Sequence, residues 1–314
     1  MSPALRRLVI GWLTYSVVLT SGLLAGPVIA EDQQPNIYAL PLQEVNLVGQ
    51  LRHLELVYED TLAAIARENG LGLGALIQAN PDVDPWLPEP GSRIVLPTAY
   101  LLPDAPRSGL VVNLSERRLY HYDETRQRLS VYPIGIGREG AATPVATTQT
   151  VMRIEDPSWN PPESIRAEWA ARGEFLARTV PPGPDNPFGK YAIKLALPGY
   201  FLHGTNQPMG VGQRVSHGCI RLRNDHIGTL IQGVPNGTPV HIISQSHKVA
   251  WHNNVLYLES HKDEQTPGNH DLTAVVAQVI AATRDNPAVV DWRLVTETVL
   301  AAAGVPVQVA RSAG

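Results

Sequence analysis

Prolines and glycines, 27 and 26 of them, punctuate this chain so often that its apolar runs stay short. Proline removes a backbone donor and fixes φ, and glycine admits turn conformations closed to other residues. Such a chain is expected to fold as many short strands joined by turns, not as a bundle of long helices. With 44% hydrophobic residues over 314 positions it can bury a core, and the length accommodates two or three domains. The net charge of -4 lacks the basic surplus of a nucleic-acid binder.

Most of the strand signal falls in 108–244. Strands are expected at 110–114, 118–122, 130–136, 190–197, 200–202 and 240–243, with helices near 163–171 and 225–232. The expected fold class is mainly β with some α, with a β-sandwich-like domain over 108–244. Ahead of it, 53–97 reads as a small β-α-α-β unit. Asp60-Thr61 caps a helix whose Leu62, Ile65 and Ala66 share one face, Gly70 closes it, and a second helix ends at Asn80-Pro81. Behind it, the extension 245–314 holds a hairpin turning at His252-Asn253-Asn254 and two amphipathic helices, 272–284 and 292–303.

Residues 1–30 have the layout of a secretory signal. Arg6 and Arg7 precede an apolar stretch from Leu8 to Leu24, and Val28-Ile29-Ala30 offers a small-x-small cleavage pattern. The apolar run is long for a signal, so an uncleaved membrane anchor is the alternative. Either way the protein is expected to be exported, with 31–52 as a linker.

Cys219 is the one cysteine of the chain and cannot form an internal disulfide. A lone thiol in an oxidising compartment is either reactive or an inert small hydrophobe. Its neighbours favour reactivity. A nucleophilic cysteine needs a base or positive charge nearby, and His203 and His217 precede it closely. His217 and Cys219 are two apart, which puts them on one side of an extended segment. Gly218 between them allows close backbone approach and frees amides to face an oxyanion.

The run His203-Gly204-Thr205, followed by Ser216-His217-Gly218-Cys219, resembles the L,D-transpeptidase catalytic motif, a His followed at a distance by Ser/Thr-His-Gly-Cys. The region 108–244 is similar to that family's YkuD-type catalytic domain, also at Val112-Asn113-Leu114 and Trp159-Asn160-Pro161-Pro162. The unit 53–97 resembles a LysM module at Glu59-Asp60-Thr61-Leu62, Ile65-Ala66, Asn80-Pro81 and Gly91 through Pro97, with Glu59 where a Gly is usual. This pairing is that of a periplasmic branch of the family.

The resemblance implies Cys219 as nucleophile and His203 as general base and acid, oriented by the Gly204 carbonyl. It implies that His217 helps hold the oxyanion region or substrate, that the Gly218 and Cys219 amides are donors, and that Ser216 is a hydrogen-bonding support. Arg221 fits a grip on a stem-peptide carboxylate, or a structural ion pair. Trp159 and Tyr191 fit the substrate cleft, or the core. The implied donor is a peptidoglycan tetrapeptide stem. The implied acceptor is a second stem, a lipoprotein Lys or water, and the LysM-like unit would bind glycan. A hydrolase of the same chemistry and a non-catalytic wall-binding protein are the competing readings. No cofactor and no metal are implied, and the oligomeric state stays open.

Other patterns carry less. Gly135-Ile136-Gly137-Arg138-Glu139-Gly140 matches a dinucleotide fingerprint, but Pro144 follows where a helix is required, so a strand end and turn is expected. His247, His252, His261 and His270 are scattered without metal-ligand spacing and are expected in solvent. The segment Val180-Pro181-Pro182-Gly183-Pro184 is expected to be a rigid loop over the cleft.

Overall fold

The structure, a computed structural model, describes residues 36–262 and 271–312. The signal-like segment 1–30, the start of the linker and His270 lie outside the described residues.

The fold is mainly β, as the punctuation predicts. A nine-stranded sheet runs in the order Ile37–Ala39, Arg128–Pro133, Arg118–Asp123, Gly109–Asn113, Pro239–Ile243, Ala146–Glu155, Tyr191–Leu195, Phe201–His203 and Ile220–Arg221. Two of its pairings are parallel, Gly109–Asn113 with Pro239–Ile243 and Phe201–His203 with Ile220–Arg221. Successive side chains of a strand point to opposite faces. Leu110 and Val112 thus join Ile193, Leu202, Ile220 and Leu222 beneath the helix Asn224–Gly233, which contributes Ile227 and Leu230. Val111 faces the other way, with Tyr120, Val131, Val48 and Tyr100. Both faces of the central strands are covered, which is why Arg118–Asp123 is buried at every position instead of alternating.

In the small unit, Arg52–Glu55 pairs antiparallel with Arg93–Leu96, and the helices Leu62–Glu68 and Leu73–Ala79 pack on them through Leu62, Ile65, Leu76 and Ile94. Thr61 caps the first helix, its hydroxyl accepting from the Ala64 N–H at 3.1 Å. Asn80 is buried and engaged. Its side-chain amide donates to the Leu76 and Val95 carbonyls, both at 2.8 Å, and accepts from the Val95 N–H at 2.7 Å, so it fastens the helix to the strand. The unit meets the large sheet's loops backbone to backbone. A Cβ on Gly72 would lie 2.9 Å from the Gly212 Cα, and one on Gly212 would lie 2.7 Å from the Gly72 Cα, so neither position has room for a side chain.

The C-terminal part forms its own four-stranded sheet, ordered His247–His252, Val255–His261, Ala303–Ser312 and Ala288–Val290, packed against the helices Leu272–Arg284 and Trp292–Ala301. Asn253 and Asn254, with φ of 48° and 62°, make the turn between its first two strands. A buried polar cluster ties this part to the large sheet. Lys248 Nζ lies 3.0 Å from Glu116 and 3.2 Å from Glu259, and Arg118 bridges the same two carboxylates at 3.0 and 2.8 Å. Glu259 also accepts from the Leu101 N–H at 2.6 Å and lies 2.7 Å from His261 Nε2. His247 and His261 are therefore not in solvent, as expected from sequence, but buried. Each has a polar partner, Ser260 Oγ at 2.9 Å for His247 and Glu259 for His261. Glu116, Glu259 and His261 come close enough to share an ion, yet Lys248 and Arg118 already supply the countercharge.

Candidate active site

The parallel pairing of Phe201–His203 with Ile220–Arg221 sets Leu202 opposite Ile220 and His203 opposite Arg221. Residues two apart share a face, so Phe201, His203, Cys219 and Arg221 all rise from one side of the sheet end, while Leu202, Ile220 and Leu222 sink into the core. All four of these upper residues line a cleft of about 570 Å³. Its other walls come from Trp159, Ile165, Trp169, Val180, Pro187 and Phe188. Of the proline-rich segment, Val180 reaches the cleft and pairs with Trp159 through two backbone hydrogen bonds, at 2.8 and 2.9 Å.

His203 is buried and its Nδ1 lies 2.6 Å from the Gly204 carbonyl. A carbonyl only accepts, so Nδ1 carries the proton and Nε2 keeps its lone pair. The Phe188 ring stacks on the imidazole, centroids 4.3 Å apart and 18° from parallel. Asn224, at the start of the helix beneath, fixes the chain after His203, accepting from the Thr205 N–H at 3.1 Å and donating to the Thr205 carbonyl at 2.9 Å.

The loop before Cys219 is held from two sides. The Ser216 hydroxyl accepts from the Gly218 N–H at 3.1 Å and donates to the Cys219 carbonyl at 2.6 Å. Thr143 donates to the Gly218 carbonyl at 2.7 Å and accepts from the Gly137 N–H at 3.0 Å. Gly218 has φ 105°, a conformation other residues rarely adopt. The glycine-rich run thus frames the motif: Ile136–Gly137 lies parallel to Arg214–Ser216, and Gly135 exchanges two 2.8 Å bonds with Arg221. One expectation fails on this geometry. The Gly218 N–H is turned to Ser216 and cannot also face an oxyanion, which leaves the Cys219 amide of the expected pair.

Burial also sets the resting state of the pair. Burial pushes the Cys219 thiol up, against a backbone hydrogen bond from Phe201 and the Arg221 charge, which lower it. The thiol donates to the Gly199 carbonyl, 3.7 Å away. Burial pushes His203 down to about 3. Both shifts favour a neutral thiol beside a neutral imidazole, not a thiolate kept ionised by an imidazolium.

The remaining expected residues divide. His217 Nε2 lies 3.1 Å from Glu168 and 3.2 Å from Arg138 Nη2, so it is engaged at the cleft rim. Arg221 lines the cleft, burial lowers its pKa, and among the described residues its buried Nε meets no hydrogen-bond partner. Trp159 is a cleft wall. Tyr191 is not. Ala192 is paired with His203, so Tyr191 faces the opposite side of the sheet and packs on the core against Gly228. Phe188, Thr143, Asn224 and Glu168 were not singled out from the sequence, since each comes from a distant segment with no motif around it.

Residues 107–242 match the YkuD family, described as the L,D-transpeptidase catalytic domain. The chain is 40% identical over 309 residues to "Probable L,D-transpeptidase YcfS" of Escherichia coli (strain K12), across 96% of this chain and 95% of that protein. It is 45% identical over 214 residues to "Probable L,D-transpeptidase ErfK/SrfK" of the same strain, across 67% and 69% of the two chains. "Probable L,D-transpeptidase YbiS" of that strain is 36% identical over 280 residues, across 86% and 91%. The chain belongs to the L,D-transpeptidase family, and it is an enzyme of that class.

Proposed function

We propose that this protein is an exported L,D-transpeptidase that acylates Cys219 with the stem tetrapeptide of peptidoglycan and passes the acyl group to an amine. The observation that carries the reading is the register that sets His203 and Cys219 on one face of the same cleft, with His203 Nδ1 fixed on Gly204. In the first step the Cys219 sulfur attacks the carbonyl of the third stem residue, diaminopimelate, while its proton passes to His203 Nε2. Because thiol and imidazole are both neutral at rest, proton transfer accompanies the attack. The Cys219 amide faces the developing oxyanion, and Arg221 pairs with a substrate carboxylate. The carbon–nitrogen bond to D-Ala then breaks, and the imidazolium returns its proton to the leaving amine. An acceptor amine attacks the thioester, gives its proton to His203, and releases Cys219 as the thiol.

A diaminopimelate amine as acceptor gives a 3→3 cross-link. A lipoprotein Lys gives an anchored lipoprotein, and water gives a carboxypeptidase. The unit 53–97, whose sequence resembles a LysM module, would hold the glycan of the same wall, and residues 1–30 would direct the chain to the periplasm as a signal or an anchor. The test is incubation with purified tetrapeptide muropeptides, with and without a lipoprotein C-terminal peptide, read by mass spectrometry. Wild type should release D-Ala and form a cross-linked or peptide-bearing product, and Cys219→Ala should do neither while still binding glycan. D-Ala release by the alanine variant at the wild-type rate defeats the mechanism.

A further inference from the structure

The cleft is covered on one side by the helix Glu163–Ala171, whose Ile165 and Trp169 line it. One carboxylate of that helix gathers three cationic or potentially cationic groups. Glu168 Oε2 lies 2.6 Å from Arg138 Nη2 and 3.1 Å from His217 Nε2, and Oε1 accepts from Arg172, one turn further along the helix. Arg138 follows the strand Ile136–Gly137 and its own N–H donates to the Ser216 carbonyl at 2.9 Å. His217 is the motif residue two before Cys219. Glu168 makes side-chain hydrogen bonds from this covering helix to the motif loop and to Arg138 beside it. Elsewhere the covering segment is tied chiefly to itself, as by Asn186, which donates to the Pro157 carbonyl at 2.7 Å.

We propose that Glu168 is a positioning residue for the reaction: it clasps the covering helix to the motif loop and turns His217 Nε2 toward the rim, and so sets how closely the cleft wall lies over Cys219. The charge arithmetic at the rim makes the clasp depend on this one acid. Without it, the Arg138 and Arg172 guanidiniums have only solvent to separate their like charges, and the helix loses its tie to the loop. With it, the ionised carboxylate accepts from all three in charge-assisted bonds. Glu168 touches neither the sulfur nor His203, so its influence reaches the chemistry through the wall it holds and through His217.

The inference rests on the transpeptidase reading for its substrate arm only, and a second arm needs no substrate. Glu168→Gln in the full chain should raise the KM for a tetrapeptide donor about tenfold with kcat little changed, the size expected for losing a charge-assisted bond at a half-exposed site. The same variant should speed alkylation of Cys219 by iodoacetamide severalfold, because the loosened wall exposes the thiol. Glu168→Asp should restore part of both, and Arg138→Met should mimic Glu168→Gln without adding to it in the double variant. Melting temperatures measured alongside separate this from unfolding. If both Glu168→Gln and Arg138→Met stay within twofold of wild type in alkylation rate, the clasp is overturned, whatever the donor assay gives. If alkylation rises as expected while no donor peptide is turned over by wild type, the clasp stands and the proposed reaction falls.

Discussion

Phe188 lies over His203 with ring centroids 4.3 Å apart, and this cover is what keeps the imidazole out of water. Desolvation disfavours the charged imidazole, which accounts for its fall to about 3. Phe188→Ala opens that face. The His203 pKa should climb back toward its ordinary value near 6.5, so the variant should lose acylation rate as pH falls below about 6.5, where wild type stays active. Acylation rates with a carbapenem probe between pH 5 and 8, as assay settings of about that span, check this. Identical profiles for the two proteins would show that Phe188 does not govern the base.

The neutral pair makes a second outcome measurable. A thiol raised by burial yields about ten times more thiolate per pH unit until its pKa is reached. Alkylation of Cys219 by iodoacetamide should therefore climb about tenfold per unit across neutral pH. A rate already flat there would mean that the thiolate is preformed, and the concerted proton transfer proposed above would be wrong.

Three of the histidines that burial keeps neutral, among the described residues, set the acid limit. Burial lowers His203 to about 3 and His121 and His226 to about 4. Each unfolded imidazole titrates near 6.5, so below that pH the unfolded chain binds protons the folded one refuses. Their contribution is complete above about pH 6.5 and drains as pH falls toward about 4, at up to about 1.4 kcal/mol per unit for each residue. Melting temperature should start to drop near pH 6.5, well above the carboxylate range. A melting temperature unchanged down to about pH 5 would contradict the buried neutral assignment.

The cluster joining the C-terminal sheet to the large sheet is balanced by Lys248 and Arg118 against Glu116 and Glu259. Removing one partner of a buried set leaves a charge uncompensated, so Lys248→Met should cost about 3–5 kcal/mol. Chemical denaturation measures it. Adding Glu259→Gln to that variant should recover part of the loss, whereas further destabilisation of the same size would show that the carboxylate's bond to the Leu101 N–H dominates.

Much of this was legible in the chain. The helix at Glu163–Ala171 and the helix at Leu272–Arg284 stand where the periodicity put them, because their apolar positions repeat at helical spacing, and Asp271 caps the second. The nucleophile loop was legible because its residues are contiguous. The two longest strands escaped, along with several short ones. Ala146–Glu155 is half exposed along an outer stretch, so its Thr, Gln and Arg hide the apolar side. Ala303–Ser312 contains Pro306, a residue that argues against an interior strand, and the register shifts beside that proline. Phe188, Thr143 and Asn224 were illegible for another reason. Each meets the site only through tertiary folding, and nothing in its local spacing announces it. Tyr191 stayed undecided between cleft and core in the sequence, since the parity of a strand is set by pairing and not by composition.

Gly72 and Gly212 touch with no side chain between them, so the small unit stands against the loop beneath it at about the closest spacing two backbones allow. A single added methyl group at either position would wedge the two parts open, and their separation is thus set by what that pair of residues lacks.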